Sequence, residues 1–352
     1  MRTLPEPFAG WFAARGWQPR AHQLDVLDAV TAGDHALLVA PTGGGKTLAG
    51  FLPTLMDLAA APREGLHTLY ISPLKALAVD IARNLMAPIE GMALPIRVET
   101  RTGDTPANRR ARQRAAPPHI LLTTPESLAL LLSQPEAREF FVGLGGIIID
   151  EIHALAGTKR GDQLALCLSR LAVLAPDAKR IGLSATVAAP DALRAWLAPD
   201  ARADSVRLIT AEAGAAPVFD LQLPEGHLPW GGHMGLASMP EVYRRIEAAR
   251  VTIVFVNTRA QAELCFAALW RLNEAALPIA LHHGSLEIDQ RRKVEAAERE
   301  FSDHIESLRR AHADFVFLEG FENGRVQRRQ LQHAADIGGG DAERCCNIVN
   351  VF

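Results

Sequence analysis

The sequence predicts an α/β fold: a parallel sheet with helices on both faces, followed by a second, partial α/β unit. Three observations carry that prediction. Short apolar runs alternate with amphipathic stretches from residue 35 to 200. Most of these runs are continuous, as strands covered on both faces require. The same alternation stops after residue 200 and restarts near 237, and strands alternating with helices make a doubly wound sheet.

The elements follow in order. HALLVA (35–40), HTLYIS (67–72), HILLTT (119–124), GGIIID (145–150) and KRIGLS (179–184) read as buried strands. TLAGFLPTLMDLAA (47–60) and LKALAVDIARNLMAPI (74–89) read as helices between them. Residues 201–236 are rich in Ala, Pro and Gly and read as an interdomain linker. PEVYRRIEAAR (240–250) is then a helix, VTIVFVN (251–257) a strand and RAQAELCFAALWRLNEA (259–275) a helix. LPIALHH (277–283) is a strand and EIDQRRKVEAAERE (287–300) a charged helix. The expected division is a first domain over 1–200, a partial second one over 237–300 and an atypical tail over 301–352. That tail has no sustained period and reads as disordered or frameshifted.

Composition bounds the classes. The 352 residues suffice for about two domains. Apolar residues at 48% and charged residues at 22% are ordinary for a globular chain. No apolar run approaches the roughly 18–20 residues of a membrane span, and the N-terminus has no continuous apolar signal core. The four cysteines form no CxxC pair, which fits a reducing cytoplasm. A net charge of −3 announces no global positive field. Residues 97–114, however, hold six arginines against Glu99 and Asp104. This cluster reads equally well as a nucleic-acid contact or a solvated helix face.

Three motifs carry chemistry. In APTGGGKT (40–47) a strand runs into a glycine-rich loop that opens a helix. Gly43, Gly44 and Gly45 allow backbone N–H groups to converge on phosphate oxygens, and the helix N-terminus favours the anion. Thr42 lies in the same loop. Lys46 would reach the β- and γ-phosphates, and Thr47 would ligate Mg²⁺. The bland alternative is a glycine turn with a chance Lys-Thr. In IIIDEIH (147–153) an apolar strand delivers Asp150 and Glu151 to the C-terminal edge of the sheet, where such sheets bind ligands. Asp150 would hold the metal and Glu151 would activate water. A lone Asp-Glu is otherwise a helix cap. Ser184-Ala185-Thr186, at another strand end, is weak by itself and more often a cap or turn.

In this order and spacing, APTGGGKT, DEIH and SAT resemble superfamily 2 helicases of the DEAD/DExH-box type. YISPLKALAVD (70–80), TRTGDT (100–105) and TTPESL (123–128) resemble the nucleic-acid motifs of that group. FVNTRAQAE (255–263) and HHGSL (282–286) resemble motifs of its second lobe. Together they resemble the large helicase-related (Lhr-like) family, in its ligase-associated branch, over about residues 8–299.

The resemblance implies two RecA-like lobes, ATP and Mg²⁺ as cofactors, and a DNA helicase or translocase in DNA repair. It implies single-stranded or partly duplex DNA as partner, with RNA still open, and association with a DNA ligase and a nuclease. Gln23 falls where the family reads the adenine edge. His153, Ser184 and Thr186 fall where it couples nucleotide state to strand movement. Ser72, Pro73, Lys75, Thr102, Gly103, Asp104, Thr123, Thr124, Asn257, Thr258, His283 and Ser285 fall on the strand track. The family also continues with T-x-x-L-x-x-G-I-D and Q-x-x-G-R-x-x-R, the latter supplying arginine fingers. Neither follows HHGSL, and Gly324-Arg325-Val326-Gln327-Arg328 reads as coincidence. The alternative function is therefore an ATP- and nucleic-acid-binding fragment with little hydrolysis.

Overall fold

The computed structural model describes residues 4–41, 44–185, 187, 189–212, 235–248, 251–282, 315–320 and 346–351. The chain divides into two units, Met1–Gly214 and Ala215–Phe352.

In the first unit α1 (Phe8–Ala14) and α2 (Ala21–Thr31) precede β1 (His35–Val39), α3 (Lys46–Ala60) and β2 (Thr68–Ile71). Next come α4 (Lys75–Gly91), β3 (Val98–Arg101), α5 (Ala107–Ala115) and β4 (Ile120–Thr123). They are followed by α6 (Pro125–Leu132), α7 (Ala137–Phe141), β5 (Gly146–Ile149) and α8 (Ile152–Leu155). The unit closes with α9 (Lys159–Leu174), β6 (Lys179–Ser184), α10 (Pro190–Leu197) and β7 (Val206–Thr210). The seven strands lie in the order β3-β4-β2-β5-β6-β1-β7, and each pairing is parallel.

Successive strand residues point to opposite faces, and each face has its own core. Leu38, Tyr70, Leu122, Ile148 and Leu183 pack with Phe51 and Leu52 of α3. Leu37, Leu69, Leu121, Ile147 and Ile149 pack with Leu128, Phe141, Leu164 and Leu168 of the helices after β4. A strand with a core on both sides has no polar face, which is why the central five read as continuous apolar runs.

Two strands of this sheet escaped the sequence reading, and both are edges. β3 is only half-buried over most of its length, and β7 buries only Val206 and Ile209. The expected linker at 201–236 therefore begins inside the sheet. β7 pairs with β1 from His35↔Val206 to Val39↔Thr210.

The second unit contains α11 (Met239–Ala248), β8 (Val251–Val256), α12 (Arg259–Leu272), β9 (Ile279–His282), β10 (Phe315–Gly320) and β11 (Cys346–Val351). Its strands form a parallel sheet in the order β11-β8-β10-β9. Tyr243, Ile246, Val254, Cys265 and Leu269 belong to its core. The expected atypical tail at 301–352 contributes β10 and β11 to this sheet. FVFLEG and CNIVNV are each too short to carry a period, and pairing with β8 gives each a place in the sheet. The charged helix expected at 287–300 lies outside the described residues. Among the described residues no helix is long and apolar enough to cross a membrane.

Three histidines stand at the N-terminal ends of strands in the first unit. His35 Nδ1 accepts the Arg180 N–H at 3.0 Å, and His119 Nδ1 accepts the Arg97 N–H at 2.9 Å. His67 lies between Asp57 Oδ2 at 2.7 Å and Thr68 Oγ1 at 2.8 Å. Burial lowers the pKa of all three below the ordinary 6.5. The unfolded chain thus binds more protons just below pH 6.5, and stability falls as pH drops through that window. Each ring contributes at most about 1.4 kcal/mol per pH unit there. A thermal melt at pH 7.5 and at pH 5.5 is expected to show a lower midpoint in acid, and equal midpoints contradict this account.

Candidate functional site

The register of the first sheet gathers the motifs on one edge. Arg101, Thr123, Ile71 and Ile149 are neighbours across β3, β4, β2 and β5. Ile149 neighbours Gly182 on β6, and Ser184 neighbours Val39 on β1. The loops leaving these strands therefore open side by side. Those after β1, β5 and β6 carry the phosphate loop, the acid pair and the Ser-Ala-Thr turn. Those after β2, β3 and β4 carry the expected strand-track residues.

The glycine loop is held from both sides. Gly45 sits at φ +72°, where a β-carbon is strained, and such a carbon would lie 2.7 Å from Gln23 Nε2. A β-carbon on Gly44 would lie 2.8 Å from the Pro41 carbonyl oxygen. Lys46 is buried, and its Nζ donates to the carbonyls of Ala40 at 3.0 Å and Pro41 at 3.1 Å. The ammonium thereby closes the turn over which a phosphate chain would lie. Thr47 is half-buried in the first turn of α3. Thr42 and Gly43 lie outside the described residues.

Gln23 is buried. Its Oε1 accepts the Arg20 N–H at 2.9 Å, and its Nε2 donates to the Gly45 carbonyl at 3.3 Å. The side chain expected to read adenine also ties α2 to the phosphate loop. His22 adds a second tie that sequence reading missed: its Nε2 donates to the Gly44 carbonyl at 2.6 Å. Burial pushes the His22 pKa below its ordinary value, which keeps the ring neutral.

Asp150 is almost wholly buried, at 1% exposure. Its Oδ1 accepts the Glu151 N–H at 2.9 Å, and its Oδ2 accepts the Tyr70 hydroxyl. Tyr70 was also missed: it lies 80 residues away in sequence and reads as one more apolar strand position. Glu151 has φ +48°, a left-handed conformation that costs a non-glycine residue about 1–3 kcal/mol and that clusters at functional sites. Its Oε2 lies 3.3 Å from His153 Nε2, and His153 Nδ1 lies 3.1 Å from Ser184 Oγ. One imidazole ring thus bridges the Glu151 carboxylate and the Ser184 hydroxyl. The expected coupling residues His153 and Ser184 thus join β6 to the acid pair. Thr186 lies outside the described residues.

On the other half of the edge, the 102–105 loop is built from within. Thr102 N–H donates to Thr105 Oγ1 at 2.9 Å, and Arg110 Nη2 donates to the Gly103 carbonyl at 2.6 Å. Lys75 and Asp104, both exposed, pair at 2.9 Å. Ser72 and Thr123, expected on the strand track, are fully buried. Thr123 Oγ1 donates to the Arg101 carbonyl at 2.8 Å, and Ser72 Oγ accepts the Leu74 N–H at 3.4 Å. Thr124 is buried as the N-cap of α6, and Pro73 is half-buried. In the second unit Thr258 caps α12 by accepting the Gln261 N–H at 3.1 Å, and the Asn257 N–H donates to Gln261 Oε1 at 3.1 Å. His283 and Ser285 lie outside the described residues.

The arginine cluster is largely consumed internally. Arg109 and Arg112 reach Glu99 at 3.1 and 3.0 Å, Gln113 joins them at 2.9 Å, and Arg97 pairs with Glu64 at 2.9 Å. Burial alone would raise the Glu99 pKa, but the hydrogen bonds from Gln113, Arg109 and Arg112 outweigh it and lower it. Arg101 is buried, and burial lowers its pKa.

Gly45→Ala tests the loop. Forcing alanine to a positive φ costs about 1–2 kcal/mol, and the new methyl displaces Gln23. A melting point lower by a few degrees is expected, together with a loss of nucleotide affinity in calorimetry. Unchanged values for both contradict the packing described.

The comparisons agree with this geometry. Residues 20–194 match the family described as DEAD/DEAH box helicase. The chain is 43% identical over 285 residues to a Lhr helicase/probable uracil glycosylase of Mycolicibacterium smegmatis, covering 75% of this chain and 18% of that protein. It is 37% identical over 368 residues to the Lhr helicase/uracil glycosylase of Escherichia coli, covering 93% of this chain and 23% of that protein. The chain thus spans about a fifth of these curated relatives. Among solved structures it is similar to Mycobacterium smegmatis helicase Lhr bound to ssDNA and AMP-PNP. That likeness has a TM-score of 0.72 and 33% identity, covering 99% of this chain and 47% of that one. With the phosphate loop, the acid pair and the Ser184 turn on one parallel sheet edge, the chain belongs to the Lhr-like branch of the superfamily 2 DEAD/DEAH box helicases.

Proposed function

We propose that this chain is the motor part of an ATP-dependent nucleic-acid translocase acting on DNA. The observation that carries the reading is the link from Glu151 through His153 to Ser184. It ties the acid next to the phosphate loop to a neighbouring strand end, so a change at the nucleotide has a mechanical path to the sheet edge. The relative bound to ssDNA and AMP-PNP supports the same pair of ligands.

In this reading the glycine loop and Lys46 bind the triphosphate, and the Gln23 amide faces the adenine edge. The buried carboxylate of Asp150 and the hydroxyl of Thr47 are hard oxygen donors, which fit Mg²⁺. When bound, that ion neutralises charge on the β- and γ-phosphates. Glu151 orients the attacking water and takes its proton. His153 and Ser184 carry the altered position of Glu151 toward the strand loops. There Lys75 and the 102–105 loop contact phosphates without reading bases. A role in DNA repair, beside a ligase or nuclease, is the context that the family resemblance suggests.

A second reading, binding without turnover, draws on one sequence observation: no Q-x-x-G-R-x-x-R follows HHGSL. A transition-state arginine is worth about 10³–10⁵ in rate.

Steady-state ATPase with and without single-stranded DNA separates the two. The first reading expects DNA-stimulated turnover that Glu151→Gln reduces at least 100-fold with ATP binding retained. Binding without turnover in the unaltered chain favours the second. DNA affinity is expected to fall steeply with rising salt in either case, since released counterions drive phosphate contacts. A salt-independent affinity contradicts the phosphate track.

A further inference from the structure

Tyr70 is fully buried on β2, and its hydroxyl donates to Asp150 Oδ2. The other carboxylate oxygen accepts the Glu151 N–H at 2.9 Å. The Tyr70 ring stacks on Phe51, with centroids 5.3 Å apart and planes at 23°. Phe51 lies on α3, about one turn beyond Lys46 and Thr47. Tyr70 neighbours Ile148 in the parallel register, and Asp150 lies two residues further along the same course. Period 2 puts all three on the face covered by α3.

This arrangement addresses a definite problem. The terminal torsion of an aspartate is broad and roughly two-fold, so a carboxylate on one contact can turn. A carboxylate pinned at one oxygen by a backbone N–H and at the other by a phenol cannot. The stack on Phe51 fixes the phenol itself, and it does so from the helix that carries Lys46 and Thr47.

We propose that Tyr70 is a positioning residue for the divalent cation of the nucleotide site. It holds the Asp150 carboxylate in one rotamer at the end of β5, on the sheet edge that also carries the phosphate loop. The inference rests on the reading of Asp150 as the metal-holding acid. Partners behind a metal ligand orient it and tune its affinity, and their loss typically costs about 10–100-fold in metal binding.

The test is Tyr70→Phe, which keeps the ring, the stack and the volume and removes only the hydroxyl. Two readouts avoid turnover: ATP binding by calorimetry across a Mg²⁺ titration, and Mn²⁺ binding by electron paramagnetic resonance in the presence of ATP. The expected result is a half-saturating metal concentration raised about 10-fold or more, with nucleotide affinity in EDTA unchanged. A purely structural role would lower the melting temperature and leave the metal midpoint in place, which overturns the proposal. Asp150→Asn, run alongside, separates the two levels. If it shifts the midpoint and Tyr70→Phe does not, Tyr70 has no such role and the metal site stands. If neither variant shifts it, the reading of Asp150 fails and the inference fails with it.

Discussion

A buried carboxylate is expensive unless each of its oxygens finds a donor in place of water. Asp150 meets that condition with the Glu151 N–H on one oxygen and the Tyr70 hydroxyl on the other. Much of the site follows from this constraint. Bringing the Glu151 N–H back onto the preceding side chain accompanies a left-handed backbone at Glu151. That turn sends the Glu151 carboxylate toward His153, and His153 in turn meets Ser184. Satisfying one charge thus connects the ends of β5 and β6.

The phosphate loop depends on the same economy of donors and acceptors. Its carbonyls need donors, and Lys46, His22 and Gln23 supply them at the carbonyls of residues 40, 41, 44 and 45. Three side chains from two helices therefore hold the loop in shape. Rigid elements place such groups more accurately than loops do. Here α2 and α3 supply all three.

The strand-track half of the edge has a different energetic character. Its exposed ion pair, Lys75 with Asp104, is worth only about 0–1 kcal/mol. The shape of the 102–105 loop comes instead from hydrogen bonds to its own backbone, from Thr105, Thr102 and Arg110. The arginines that suggested a positive patch mostly serve β3 and α5. Glu99 is the hub, gathering Arg109, Arg112 and Gln113 onto the edge strand. A solvated charge run and a structural clamp have the same composition, and only the positions of the acids tell them apart.

By itself the sequence determined the class of fold, the five central strands and the motifs that the candidate site is built from. Those strands are legible because burial on both faces leaves an unbroken apolar run. The motifs are legible because glycine, lysine and paired acids at strand ends have few other uses. Tertiary structure alone decided the edges, since β3 and β7 are half-exposed and carry no such run. It alone decided that Ser72 and Thr123 lie beneath the surface, because a hydroxyl at a strand end looks the same whether it faces water or a neighbouring carbonyl. It alone brought Tyr70 to Asp150 and His22 to Gly44. These contacts join residues far apart in the chain, and strand register and helix packing, which no local pattern encodes, place them together.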